Sequence, residues 1–272
     1  LCISPPPPGR LQPPRAGGAR GPRGGAARGR GAPRGGGAAG GAGAGGGGGG
    51  ARAAARAATT RDVALALLDR DGVINVDVGA PGVVDVAQFE LIAGAARAVR
   101  ALNDAGVPTA VVTNQTAIGK GYVSAAYVED VVHGEMRRAL REDAGATLGE
   151  IYYAHKARDE PCDRRKPAPG MVVEALAANG LADEPSRAVF IGDTVTDMQA
   201  AARAGVRRCL VCTGYGEVMG EALRSKNQRL PYRITTRADD PTMSLPDECF
   251  PVDVYEDLAH AVCCLLAVPS FT

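Results

Sequence analysis

Five short, nearly unbroken apolar runs limit what this chain can become. They are Ala64–Leu68, Pro108–Val112, Ile151–Ala154, Ala188–Ile191 and the stretch from Arg208 to Cys212. None alternates polar with apolar residues, so each reads as a strand buried on both faces. Helical spacing fills the gaps between them. Ala96, Val99 and Leu102 mark a helix over 93–105 that stops at Gly106. Ser124 is placed as an N-cap for a long helix through Val128, Val132, Met136 and Leu140, closed by Gly145. Further helices are expected from about Gly170 to Asn179 and from about Met198 to Ala204, each followed by glycine. Strands alternating with helices predict an α/β fold, a three-layer αβα doubly wound parallel sheet. Residues 214–250 are Pro-bearing and mixed, and read as an irregular excursion. Val254–Leu266 reads as a closing amphipathic helix.

Composition divides the chain at residue 61. Residues 1–61 carry ten Arg, no Lys and no acid in a background of Gly, Ala and Pro, which predicts a disordered tail. Residues 62–272 are then one domain. Removing the ten tail Arg from 31 Lys and Arg leaves 21 against 30 acids, so this domain has a formal charge of about −9. An acidic enzyme acting on an anion must concentrate its few cations locally. The tail resembles Arg/Gly-rich RNA-binding segments, which act through phosphate electrostatics. It also resembles an Arg-rich transit peptide, although Ser4 is its only serine. Biased sequence without a function is the preferred reading. No apolar run approaches the roughly 20 residues of a membrane span. The expected location is cytoplasmic, or an organelle such as a plastid if the tail directs import. The seven scattered Cys argue against a disulfide framework, and Cys209 and Cys212 read as buried strand residues.

Three strands end in polar groups, and in doubly wound sheets that edge binds ligands. The first runs into Asp69-Arg70-Asp71-Gly72, the second into Thr113-Asn114, the fourth into Gly192-Asp193. Asp69 and Asp193 supply oxygen ligands for Mg²⁺, with a backbone carbonyl near Asp71 as a third. A carboxylate so screened can attack phosphorus, which makes Asp69 a candidate nucleophile. Asp71 is placed to protonate the leaving oxygen and then to activate water. Thr113, Asn114 and Lys166 are candidates to hold the phosphate, and Arg165 to fork onto a second anionic group. Each residue also has a plain role open to it. Asp and Gly are ordinary turn residues, Arg165 and Lys166 a solvated pair, and Asp193 a helix cap. Their joint order along the chain favours the chemical reading.

That order resembles the haloacid-dehalogenase-like phosphohydrolases over about residues 62–267. Four stretches carry the likeness: Asp-Arg-Asp-Gly-Val-Ile-Asn (69–75), Val-Val-Thr-Asn-Gln (111–115), Arg-Lys-Pro-Ala-Pro-Gly-Met (165–171) and Gly-Asp-Thr-Val-Thr-Asp (192–197). Within the superfamily they resemble the D-glycero-D-manno-heptose 1,7-bisphosphate phosphatases, which are grouped with the histidinol-phosphate phosphatases. The resemblance implies an enzyme with little or no cap that removes one phosphate from a small phosphorylated metabolite, a sugar bisphosphate first, using Mg²⁺ and an aspartyl-phosphate. It implies Asp69 as nucleophile, Asp71 as general acid and base, Arg165 and Lys166 on the substrate phosphate, and Asp69, Asp71 and Asp193 around the metal.

Two departures from the family pattern bear on specificity. Relatives often carry a zinc loop, Cys-x-His then Cys-x-Cys, just before Arg-Lys-Pro. Here Ala154 and Arg164 stand at two of the Cys positions, His155 is displaced by one, and Cys162 remains. Four ligands are expected for structural zinc, so no zinc is predicted. Thr194 follows Asp193 where relatives often have Lys. The competing enzyme readings are a polynucleotide 3′-phosphatase and a histidinol-phosphate phosphatase. The competing reading of another class is a non-catalytic RNA-binding protein acting through the tail. The expected partner is the small substrate alone, with nucleic acid only through the tail, and the chain is expected to be a monomer.

Overall fold

A computed structural model describes residues 63–157 and 160–270, so the tail expected to be disordered lies outside the described residues. In chain order the main elements are β1 (Leu65–Leu68), α1 (Ala95–Asp104), β2 (Thr109–Asn114), α2 (Thr116–Gly119), α3 (His133–Ala144), β3 (Ile151–Ala154), α4 (Gly170–Ala178), β4 (Ala188–Gly192), α5 (Val195–Arg203), β5 (Arg207–Val211), α6 (Glu217–Ser225), β6 (Tyr232–Ile234), β7 (Val252–Tyr255) and α7 (Leu258–Leu266). Seven strands form one sheet in the order β3-β2-β1-β4-β5-β7-β6. Every neighbouring pair is parallel except β6 with β7.

The unbroken apolar runs follow from this arrangement. Leu65 and Leu67 point to one face, where they join Val112 and Phe190 against Met171 of α4 and Ala200 of α5. Ala66 and Leu68 point to the other, with Val111 and Ile191, against α1, α3 and α7. Every side chain of β1 is thus buried, and truncating one of its leucines to Ala costs about 2–5 kcal/mol. Ser124 caps as expected, its Oγ accepting from Tyr127 N at 3.0 Å. The helix it opens begins as a π-helical segment, Tyr127–Val132, before α3.

Two sequence expectations need correction. Residues 214–250 are not an irregular excursion. They contain α6 and β6, and with Met198, Leu210 and Val252 they close a third apolar core around Met219, Leu223, Ile234 and Leu245. The last helix does not begin at Val254, which lies within β7. It begins at Leu258, after Asp257, whose side chain accepts from His260 N at 2.7 Å. Four apolar-rich residues fit either period, and strand pairing with β5 and β6 decides the matter.

The strand order reverses direction between β1 and β4. The first half of the chain adds strands on one side of β1 and the second half on the other. The crevice beyond their carboxyl ends is where such a sheet receives a ligand. Leu68 lies beside Ile191 in register, so Asp69 and Asp193 leave adjacent strands at the same edge. No helix among the described residues is long and apolar enough to cross a membrane.

Candidate active site

After Leu68 the chain turns sharply. Arg70 O accepts from Ile74 N at 2.8 Å and from Asn75 N at 3.1 Å, and Gly72 N donates to Asn75 O at 2.8 Å. The turn reading and the chemical reading of Asp69-Arg70-Asp71-Gly72 are therefore compatible, because the turn aims the two aspartates. Gly72 has φ 79°, and a Cβ there would fall 2.2 Å from Asp193 Oδ2. A side chain at 72 is excluded by conformation and by Asp193 together. Gly214 meets the same limit from the other side, since its Cβ would lie 2.3 Å from that oxygen.

Asp69 is 7% exposed. Its Oδ1 accepts from Arg70 N at 2.7 Å and faces Lys166 Nζ at 2.8 Å. Lys166 also contacts Asp197 Oδ1 at 2.6 Å and donates to Val112 O at 2.9 Å. Burial works against its charge, but Asp197 and Asp69 outweigh that and hold the ammonium well above the ordinary lysine range. Asn114 locks the Lys166 peptide, donating to its O and accepting from its N, each at 3.0 Å. Asp193 accepts from Tyr215 N at 2.9 Å through Oδ2, while its Oδ1 is buried with no hydrogen-bond partner. Asp197 Oδ2 accepts from Thr194 N at 3.0 Å and Thr194 Oγ at 2.7 Å, which caps α5.

Oxygens of Asp69, Asp193 and Asp197 lie within 4.8 Å of one another, the one such group of potential metal ligands among the described residues. Burial, and after it neighbouring carboxylates, push Asp69 and Asp193 above the usual carboxylate range. An all-oxygen set with an orphaned buried oxygen fits a hard divalent cation such as Mg²⁺. The side chain of Asp71 is not part of this group, and its expected contribution to the metal is a backbone carbonyl. Arg70 Nη2 grips both its oxygens at 2.9 Å, Asn75 Nδ2 donates to Oδ1 at 2.9 Å, and Gln115 Nε2 donates to Oδ2 at 3.2 Å. Burial alone would raise Asp71, but Arg70 and these donors outweigh it and hold the group below the ordinary range.

Asp69, Asp71, Thr113, Asn114, Lys166 and Asp193 all line one cavity of about 200 Å³. Arg165 does not line it and sits half-buried outside its wall. Sequence reasoning passed over Asp197, Arg70 and Gln115 as site residues. Asp197 had a signal, since a carboxylate four residues beyond Asp193 falls in the first turn of α5. Gln115, 44 residues from Asp71, had none. In the loop before Arg165, the His155 ring stands edge-on to Tyr153 at 6.2 Å, and Cys162 packs against the core around Leu65.

Comparison with known proteins supports the same grouping. The model of the haloacid dehalogenase-like hydrolases matches residues 44–205. The D-glycero-beta-D-manno-heptose-1,7-bisphosphate 7-phosphatase of Pseudomonas putida is 40% identical over 156 residues, covering 56% of this chain and 85% of the relative. The D-glycero-D-manno-heptose-1,7-bisphosphate 7-phosphatase of Chlorobaculum tepidum is 34% identical over 183 residues, covering 64% and 87%. A crystal structure of the D,D-heptose 1,7-bisphosphate phosphatase from B. bronchiseptica, complexed with magnesium and phosphate, superposes with a TM-score of 0.60. It is 28% identical and covers 75% of this chain and 98% of that one. The chain belongs to the haloacid dehalogenase-like hydrolases, and it is a phosphatase of that family.

Proposed function

We propose that this phosphatase is a Mg²⁺-dependent phosphomonoesterase that acts on a small phosphorylated metabolite, a sugar bisphosphate such as heptose 1,7-bisphosphate, through an aspartyl-phosphate at Asp69. The observation that carries the reading is the oxygen cluster of Asp69, Asp193 and Asp197, set at the β1/β4 switch and held by Lys166. Relatives named as heptose bisphosphate phosphatases supply the substrate class. Bound there, Mg²⁺ would neutralise the crowded carboxylates and the charge on the transferring phosphoryl group.

The residues divide the remaining work. Lys166 and the Arg70 N–H both bind Asp69 Oδ1, so attack falls to Oδ2. The Oδ2–P bond forms as the bond from phosphorus to the leaving oxygen breaks. Asp71 gives that oxygen its proton, then takes one from the water that attacks the aspartyl-phosphate, releasing phosphate and restoring Asp69. Arg70 and Asn75 hold Asp71 as a carboxylate in the free protein, which suits the water-activating step directly. The proton for the first step enters with the anionic substrate. Thr113 and Lys166 hold the phosphoryl oxygens. Asn114 fixes the Lys166 peptide from the wall of the same cavity.

The test is phosphate release from sugar mono- and bisphosphates, with and without Mg²⁺. Release that requires the metal and is lost in Asp69→Asn supports the reading. Release that persists in Asp69→Asn removes Asp69 as nucleophile.

A further inference from the structure

Gln115 follows β2 directly and is 3% exposed, yet it does not line the carboxylate pocket. Its backbone is pinned on both sides. Gln115 N donates to Ala154 O at 2.8 Å, which carries the β2–β3 ladder one residue further, and Gln115 O accepts from Ile118 N at 3.3 Å as α2 begins. The side chain reaches two acceptors with one nitrogen. Nε2 donates to Thr113 Oγ1 at 2.9 Å and to Asp71 Oδ2 at 3.2 Å.

These two contacts fix the sense of the amide and, through it, the Thr113 proton. A carboxylate accepts and cannot donate, so the end of the amide that faces Asp71 is its NH2 group. Both protons of Nε2 are then committed, and Thr113 Oγ1 is the acceptor in its bond to Gln115. A threonine hydroxyl carries one proton, which remains to be given elsewhere. Among the described residues no protein group takes it. Thr113 lines the carboxylate pocket, so the cavity is where that proton finds an acceptor.

Asp71 and Thr113 depend on the amide unequally. Arg70 Nη2 reaches both oxygens of Asp71, and Asn75 Nδ2 reaches Oδ1, each at 2.9 Å, shorter than the contact from Gln115. Thr113 Oγ1 has Gln115 alone among the described residues. Loss of the amide therefore leaves Asp71 held and the Thr113 hydroxyl free to turn.

We infer that Gln115 is a positioning residue that commits the Thr113 hydroxyl as a donor to the transferring phosphoryl group, with Asp71 fixing the sense of the amide. The inference rests on the phosphomonoesterase reading above. A donor aimed before the phosphoryl group arrives needs no reorganisation as charge develops on its oxygens. The same side chain ties the residue that holds the phosphoryl group to the residue that moves the proton.

The full-length chain with Mg²⁺ tests this by a double-mutant cycle, read with acetyl phosphate and with a sugar phosphate. Gln115→Met keeps the length of the side chain and removes both donors. It is expected to lower kcat/KM about tenfold for both substrates, since the phosphoryl group is the part they share. Thr113→Val is expected to lower kcat/KM by at least as much. In the Thr113→Val background Gln115→Met is expected to change kcat/KM by less than about twofold, because the hydroxyl it orients is gone. A role in packing alone would cost the same factor in both backgrounds, so a further loss beyond about twofold overturns the inference. So does a loss below about twofold in Gln115→Met alone, a loss confined to one substrate, or a Thr113→Val variant as active as the unmodified chain. Gln115→Asn draws the amide back by one methylene and serves the same cycle, with the same outcomes, if Gln115→Met does not fold. Failure of the unmodified chain to release phosphate from either substrate removes the phosphomonoesterase reading itself.

Discussion

Around Asp69 each buried cation is committed to fixed carboxylates. Beside Leu245 no Lys or Arg lines the neighbouring cavity. In the first region Lys166 bridges Asp69 and Asp197, and Arg70 grips Asp71, both cations being almost wholly buried. In the second, apolar packing and one buried acid, Asp240, hold hydroxyls and apolar surface against an open cavity. The two share Asp193 and Tyr215, yet different physics shapes them. Charges taken out of water require near-complete pairing, which fixes residue types narrowly. Apolar packing accepts any well-filled set of similar volume. The first region therefore tolerates fewer substitutions than the second.

The largest test of this contrast is Asp69→Asn. It is expected to lower phosphate release by on the order of 10⁴-fold or more, with the fold intact by circular dichroism. Next is Lys166→Met, which strands Asp69 and Asp197 as buried carboxylates without their counter-ion. We expect a loss of roughly 3–5 kcal/mol in urea unfolding, partly restored by added Mg²⁺. A loss that Mg²⁺ leaves untouched would separate the metal from this cluster. On the other side, Leu223→Ala opens a void in the third core. It should cost about 2–4 kcal/mol of stability while kcat for acetyl phosphate at saturating Mg²⁺ stays near that of the unmodified chain. A proportionate fall in kcat would show that the two regions are not separable.

The smallest expected effect lies beneath the charged region. His133 is buried against Tyr153 and faces Arg70, and burial first, then Arg70, push its imidazole down to about 3. The folded state therefore resists a proton that the unfolded chain accepts below its ordinary value near 6.5. Stability contributed at neutral pH is lost as pH falls through that value, by about 2 kcal/mol at pH 5. His133→Gln should flatten that part of the urea-unfolding profile, and an unchanged slope would place the acid sensitivity elsewhere.

How much of this could be read from sequence follows the same division. β3 was legible to the residue and β4 to within one, because short apolar runs bounded by turn residues have one good solution in a parallel sheet. Asp69, Asp193 and Lys166 could be read as a set because strand ends bring their neighbourhoods together. The environment of Asp71 could not. Its partners Arg70, Asn75 and Gln115 converge only after the turn forms, and they take its side chain away from the metal group. β6 and β7 escaped for another reason. Tyr232–Ile234 has three residues, and Val252–Tyr255 fits helix and strand periods alike, so neither is decided before the sheet exists.

The central claim is that phosphate passes through Asp69. The direct measurement is acid-quenched single turnover of a sugar phosphate with Mg²⁺, followed by peptide mapping. The account predicts a transient, hydroxylamine-labile phosphate on the peptide that contains Asp69, and none in Asp69→Asn. Full turnover without any labelled peptide, at a rate that Asp69→Asn matches, would contradict it.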